Sequence, residues 1–355
     1  MLMKKIAKHL NTINKSILFF LTIILFGCYS SSNKGNLEIE RDPSYPRWLK
    51  SGNYHTNQTS GICFLGIDND GNKNFLLADD KGKIHHFKIK DDTLFTFSPI
   101  HLGKNVEAFL DTFPKWDFEE ITYDKNTNSI FLSIEGNEPN PQKYVGIYKL
   151  IFSNNSVYSD TVTGIEKLHI NPEELFLKYT SDNIGYEGMA VDKNYFYLGL
   201  EGLSENGIFS DHTILFVVDK KNLQIINQID TKSLGIHTIC GLYSDKDNSI
   251  YGIDRNNKKL FHLIFDSSNG NIKVKDYMLT GIQINIPGYN QFEYVAALES
   301  ITMDNNKNIY LVDDPWRMFY VPREIVLKKL DNETVSNFKK FIPIIFKFKL
   351  IASAS

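Results

Sequence analysis

Apolar runs and turn-forming clusters alternate along this chain, and five consecutive pairs of runs follow one plan. The first run of each pair opens at Ser60, Glu119, Glu187, Cys240 or Glu299. Each then reaches a turn rich in Asp and Asn: Asp68-Asn69-Asp70-Gly71, Asp124-Lys125-Asn126, Asp192-Lys193-Asn194, Asp245-Lys246-Asp247-Asn248 and Asp304-Asn305-Asn306-Lys307. Side chains of this kind close turns by bonding their own backbone, so these aspartates read as turn residues. The second run ends on a carboxylate every time: Leu77-Ala78-Asp79, Ser133-Ile134-Glu135, Gly199-Leu200-Glu201, Gly252-Ile253-Asp254 and Leu311-Val312-Asp313. The pattern predicts five hairpins, with first strands over 60–67, 119–124, 187–192, 240–245 and 299–304.

Each hairpin is followed by a third strand (83–89, 145–152, 213–219 and 259–265) and a weaker fourth (93–97, 157–162, 223–229 and 272–278). Repeat starts fall 59, 68, 53 and 59 residues apart. Four-stranded units in series, almost without helix, predict an all-β protein, a β-propeller with five clear blades, or six if one is degenerate. A sandwich or β-helix would not explain acids recurring at matching positions. The last blade departs from the plan. Its third strand is expected at 344–350, leaving 315–343 as an insertion that is helical over 323–340, and 36–41 is available as the missing fourth strand.

In the third to fifth repeats the second acid lies 14 residues after the repeat start. A three-residue turn then sets Glu187 opposite Glu201, Cys240 opposite Asp254 and Glu299 opposite Asp313. First strands line a propeller's channel, so these groups crowd one mouth of it. Like charges facing across strands destabilise a sheet. Two carboxylates ~6 Å apart at an effective dielectric of ~20 repel by about 3 kcal/mol. Either some are protonated or turned away, or a cation holds them; the plain alternative is that strand ends are loop starts, where Asp is common.

The ends add a compartment. Lys4, Lys5, Lys8 and Lys15 precede an apolar stretch over 16–27 that is too short to span a bilayer, as in a secretory signal. Leu25-Phe26-Gly27-Cys28 resembles a bacterial lipobox, which implies acylation of Cys28 and a lipid anchor at the cell envelope. The chain thus divides into a signal over 1–27, a tether and closing strand over 28–45, and the propeller over 46–355. Net charge is −3 with both signs dispersed, which excludes an electrostatic case for nucleic acid. Cys63 and Cys240, in different repeats, read as isolated thiols.

The segments Asp117-Phe118-Glu119-Glu120-Ile121, Gly185-Tyr186-Glu187-Gly188-Met189-Ala190 and Leu298-Glu299-Ser300-Ile301 resemble the strand starts of one propeller group. That group holds the SdiA-regulated lipoproteins and esterase-like phytase domains and, more distantly, gluconolactonases and paraoxonases. The resemblance covers most of 58–315 through short motifs. It implies calcium at the channel mouth, with Glu119, Glu187 and Glu299 as ligands and Asp254 and Asp313 in support. Ser60 and Cys240 at two of the starts depart from the pattern and put a shared catalytic mechanism in doubt.

Calcium also suits the residues themselves, since it takes six to eight oxygens in flexible geometry. Zinc does not, because the histidines are scattered; His85, His86 and His262 read as ordinary strand residues. No G-x-S-x-G elbow is present. An enzyme on this frame would be metal-assisted, with Glu120 or Glu135 activating water. Arg255 and Arg317 could face an anionic ligand or pair with neighbouring acids. Trp316 opens the insertion with an apolar edge. Two readings follow: a calcium-binding propeller that binds a small molecule, glycan or protein at its mouth, or a metal-assisted esterase or phosphoesterase.

Overall fold

The computed structural model describes residues 37–205, 208–267, 272–293, 297–316 and 320–351. The lipobox with Cys28, and Arg317, lie outside the described residues. Twenty strands form five four-stranded blades. The first strands, at the ring's centre, are Thr59–Ile67, Phe118–Asp124, Gly188–Val191, Gly241–Lys246 and Ala297–Met303. The second strands are Lys73–Asp79, Ser129–Ile134, Tyr195–Gly199, Ser249–Asp254 and Asn308–Asp314. Third strands lie at Lys83–Lys90, Gly146–Phe152, Ile214–Asp219, Lys259–Asp266 and Ile344–Ile351. Every neighbouring pair within a blade is antiparallel.

Fourth strands run over Leu94–Pro99, Thr161–Lys167, Ile225–Asp230 and Lys273–Gly281. The second of these starts later than the sequence pattern predicts. Asn154 and Asn155 adopt left-handed backbone (φ 56° and 52°), and the turn they make keeps buried Val157 out of the strand. The fifth blade takes its fourth strand from the other end of the chain. Glu38–Arg41 pairs antiparallel with Ile344–Ile351, matching Glu38 to Ile351 and Arg41 to Phe348.

Five apolar clusters fill the spaces between blades, each built from inward-facing residues of adjacent sheets. Blade contact at the centre is close enough to demand glycine. A Cβ on Gly61 would lie 2.7 Å from the Ile121 amide nitrogen, and one on Gly241 2.7 Å from the Ser300 Cα. The insertion is packed structure, with helices Glu324–Leu327 and Asn332–Lys339, the second capped by Asp331 on the Thr334 amide. Its buried Phe338 meets Trp48 edge-on at 4.9 Å and Tyr320 at 5.3 Å.

Two register expectations are corrected. In the third blade the ladder begins with Gly188 opposite Gly199, so Glu187 does not pair with Glu201. Leu298, not Glu299, pairs with Asp313, because a bulge falls between Leu298 and Ser300. Bulges recur at the same place in the first blade, around Ser60, and in the second, around Glu119 and Glu120. A bulge re-aims the extra side chain, and bulges are common beside functional sites.

Candidate functional site

The bulges and the second-strand ends meet at one end of the channel, around a cavity of about 650 Å³. Eight carboxylates line it: Asp80, Asp117, Glu119, Glu135, Glu187, Glu201, Glu299 and Asp314. Three cationic side chains, Lys115, Arg255 and Lys258, share the wall. Phe209 and Trp316, each about half exposed, stand at its rim.

A rule about side-chain length decides which acids face the cavity. Where the second strand ends on Glu (Glu135 and Glu201), the next residue is Gly136 or Gly202 and the glutamate itself reaches in. Where it ends on Asp (Asp79, Asp254 or Asp313), the carboxylate turns to neighbouring backbone and the next residue, Asp80, Arg255 or Asp314, lines the cavity. Asp79 accepts from the Lys81 and Lys83 amides at 3.1 Å. Asp254 accepts from the His237 amide at 3.0 Å, the Asn257 amide at 3.2 Å and the Asn257 side chain at 2.7 Å. Asp313 accepts from the Ile344 amide. Short acids bond local backbone readily, and one more methylene carries Glu past it. Asp254 and Asp313, expected to support a cation, are therefore loop caps.

Arg255 sits where the sequence argument called for a cation. Its guanidinium donates to Glu299 and Glu201 and lies 3.7 Å from Glu187, so one side chain of the fourth blade joins acids of the third and fifth. This answers half of the charge problem: Arg255 pairs with neighbouring acids. The Cys240 thiol lies among the same groups, within 4.8 Å of Glu187 and Glu299 oxygens. Both Cys63 and Cys240 are buried free thiols.

The other half is poorer in cations. Oxygens of Asp80, Asp117 and Glu119 lie within 4.8 Å of one another, and Lys115 pairs with Asp117 alone among them. Asp117 also accepts from Asn137 at 2.9 Å, and Asp80 from Gln58 at 3.0 Å. Glu135 is 2% exposed, and among the described residues no hydrogen bond reaches its Oε1. Burial, reinforced by the negative charge of Asp117 and only partly opposed by Lys115, raises Asp80 to about 7. Burial and neighbouring acids also push Glu119, Glu135, Glu187, Glu299 and Asp314 above the ordinary carboxylate range.

Glu120 does not belong to this wall. It is 1% exposed and accepts from Ser300 Oγ at 2.6 Å and the Ile121 amide at 2.9 Å. The equivalent residues in the other blades are Gly61, Gly188, Gly241 and Ser300. Four small residues leave room on the axis for one larger side chain, and Glu120 fills it. Burial raises its carboxyl well above the ordinary range, which favours a neutral plug over a water-activating base. Two of the histidines are structural: His85 bonds Tyr54 at 2.8 Å and Asp79 at 3.2 Å, and His262 stacks on Tyr251 at 4.1 Å and bonds Ser249 at 2.8 Å.

Sequence reasoning missed Asp80, Lys115, Asp117 and Asp314. The signal was present in the doublets Asp79-Asp80 and Asp313-Asp314, since strand alternation sends two adjacent acids to opposite sides. Lys115 and Asp117 lie on the connection into the second blade, where no repeat position singles them out.

No protein-family model matches the chain, and no curated protein matches it. Among solved structures it is similar to a GH43_1 enzyme from Xanthomonas citri, at 9% identity and a TM-score of 0.50 over 88% of this chain and 92% of that one. It is also similar to Myxococcus xanthus glutaminyl cyclase, at 8% identity and a TM-score of 0.47 over 90% of this chain and 100% of that one. At 9% identity the likeness to the GH43_1 enzyme shows the fold alone, and the resemblance to SdiA-regulated lipoproteins and phytase-like domains rests on the strand-start motifs.

Proposed function

We propose that this protein is an envelope-anchored binding propeller whose channel mouth holds calcium and, over it, a ligand. The observation that carries the reading is the cluster of Asp80, Asp117 and Glu119 beside the orphaned Oε1 of Glu135. Buried carboxylate oxygens without partners are costly, and a divalent ion would satisfy several together. The donor set is all hard oxygen on this side, which suits calcium and not zinc. Asp80, Asp117 and Glu119 would hold the ion beside Glu135, while Arg255 already pairs with Glu201 and Glu299 and lies near Glu187. The lipobox at Cys28 supports an anchor to a bacterial membrane, with the propeller beyond a short tether.

Calcium is expected to raise the melting temperature over that in EDTA. An ion at about 100 times its dissociation constant adds ~2.7 kcal/mol. Glu119→Gln should remove most of the gain and keep the fold; equal melting curves in calcium and EDTA would end the metal reading.

Asp80 favours a second reading, metal-assisted hydrolysis of an ester or phosphoester. A carboxyl raised to about 7 in a cavity is poised to move protons near neutral pH. In this second reading Asp117 and Glu119 would hold the ion, which would serve to polarise the substrate's oxygen, while Asp80, left off the ion, would exchange a proton with water or the leaving group. A panel of chromogenic esters and phosphoesters separates the two readings. Calcium-dependent turnover abolished by Asp80→Asn supports hydrolysis, and its absence leaves binding.

A further inference from the structure

With its acids ionised, the mouth carries more negative charge than its own cations and one divalent ion offset. Lys115, Arg255 and Lys258 are the cationic side chains among eight carboxylates. Within the cavity the protein supplies a precedent for what satisfies such acids: the Arg255 guanidinium, planar and multiply donating, bridges Glu201 and Glu299 next to Glu187. Across the cavity, Glu135 is 2% exposed, and among the described residues neither its Oε1 nor Asp314 Oδ1 has a hydrogen-bond partner. Two aromatic side chains frame the entrance. Phe209 sits on a short hairpin of Ser204–Glu205 and Ile208–Phe209, 52% exposed, and Trp316 is 50% exposed. Aromatic faces attract cations, and fixed carboxylates lining a concave site strengthen that preference.

We infer that the ligand of this cavity is a small organic cation, carrying a primary ammonium or guanidinium group that Glu135 and its neighbouring acids receive beneath Phe209 and Trp316. This rests on the reading of the mouth as a ligand site and names the ligand's chemistry. A guanidinium supplies up to five N–H donors in a fixed fork, matching several carboxylate oxygens at once. A neutral isostere would leave those acids as uncompensated as they are now, and an anion would meet repulsion. Arg255 remains in place, so the incoming group uses the half of the cavity that Arg255 does not serve.

The test is calorimetric titration of the purified protein with agmatine and putrescine, with urea as a neutral control and inorganic phosphate as an anionic one, each in calcium and in EDTA. Agmatine is expected to bind saturably and to weaken as salt rises. Glu135→Gln should weaken it about ten-fold. Trp316→Ala and Phe209→Ala should each weaken it about three-fold. The calcium-induced rise in melting temperature should be unchanged in the two aromatic variants, because neither residue offers calcium an oxygen. If calcium binds and neither amine does, the inference fails and the calcium reading stands. Agmatine bound in EDTA and expelled by calcium supports the inference and overturns their joint occupancy. Binding of phosphate in preference to agmatine, or equal binding of urea, overturns it.

Discussion

The two ends of the channel carry similar acids and solve the same electrostatic problem in opposite ways. At the mouth, eight carboxylates share three cationic side chains. At the far end, the turn aspartate of one blade is held by the next blade in four places. Lys220 of the third blade reaches Asp124 of the second at 2.9 Å, and the Asn248 amide of the fourth reaches Asp192 of the third at 2.9 Å. Lys307 of the fifth reaches Asp245 of the fourth at 2.9 Å, and Lys73 of the first closes the circle on Asp304 of the fifth at 3.7 Å. Burial pushes Asp124 and Asp245 up, but bonds and charge from Lys220 and Lys307 outweigh it and leave both below the ordinary value. One end staples the ring; the other stores unfavourable charge. A protein near its stability threshold keeps such a cluster where function requires it.

The comparison breaks first at Arg255. Arg255→Met removes the cation shared by three glutamates and is expected to cost about 3–5 kcal/mol in urea unfolding. A loss under about 1 kcal/mol would mean that the mouth does not depend on it. At the stapled end, Lys220→Met leaves buried Asp124 with its turn bonds from Thr127 and Asn126 but no charge partner. The expected cost is about 2 kcal/mol, smaller because those bonds remain.

Acidity should separate the two ends in one experiment. A carboxyl whose folded value is raised binds protons more tightly when folded, so its contribution is present at low pH and lost as pH climbs from the unfolded value to the folded one. For Asp80 that window runs from the ordinary aspartate range to about 7. The lowered Asp124 and Asp245 behave oppositely: they stabilise above the unfolded aspartate value and lose that contribution as pH falls through their folded values. In calcium-free buffer the melting temperature should therefore rise as pH drops from 8 toward about 5 and fall in stronger acid. Calcium should flatten the neutral side of that curve. A melting temperature that climbs steadily up to pH 8 without calcium would show that the mouth acids are not strained. The smallest effect is expected from Lys88→Ala: Asp68 bonds Lys88 of its own blade, so its loss leaves the ring closure and the melting temperature unchanged.

Repeat period, turn chemistry and the closing strand were legible because each depends on local pattern: Asp at a turn, alternation in a strand, an unpaired edge in the last blade. The expected mouth contained Glu119, Glu187 and Glu299, and these three do meet there. The choice between Asp79 and Asp80, or between Asp313 and Asp314, was not legible from the repeat alone. It depends on whether a short carboxylate finds a backbone amide in the following loop, and loops are where the five repeats differ. Glu120 misled for a related reason. Beside Glu119 it looks like a second mouth acid, and only the small residues at its position in the other four blades reveal a vacancy on the axis. Bulges compound the difficulty, since one extra residue moves Glu299 out of the pairing that a regular hairpin would give it.

The pairing of Glu38–Arg41 with Ile344–Ile351 also constrains the order of events in folding. Partners such as Glu38 and Ile351 stand roughly 300 residues apart in sequence, so among the described strands the first synthesised must wait for the last before the circle can shut. Until then the fifth blade presents a bare edge, open to pairing with a second chain. A polypeptide shortened by its final strand would keep that edge permanently, which makes aggregation, more than simple loss of binding, the expected fate of C-terminal truncations.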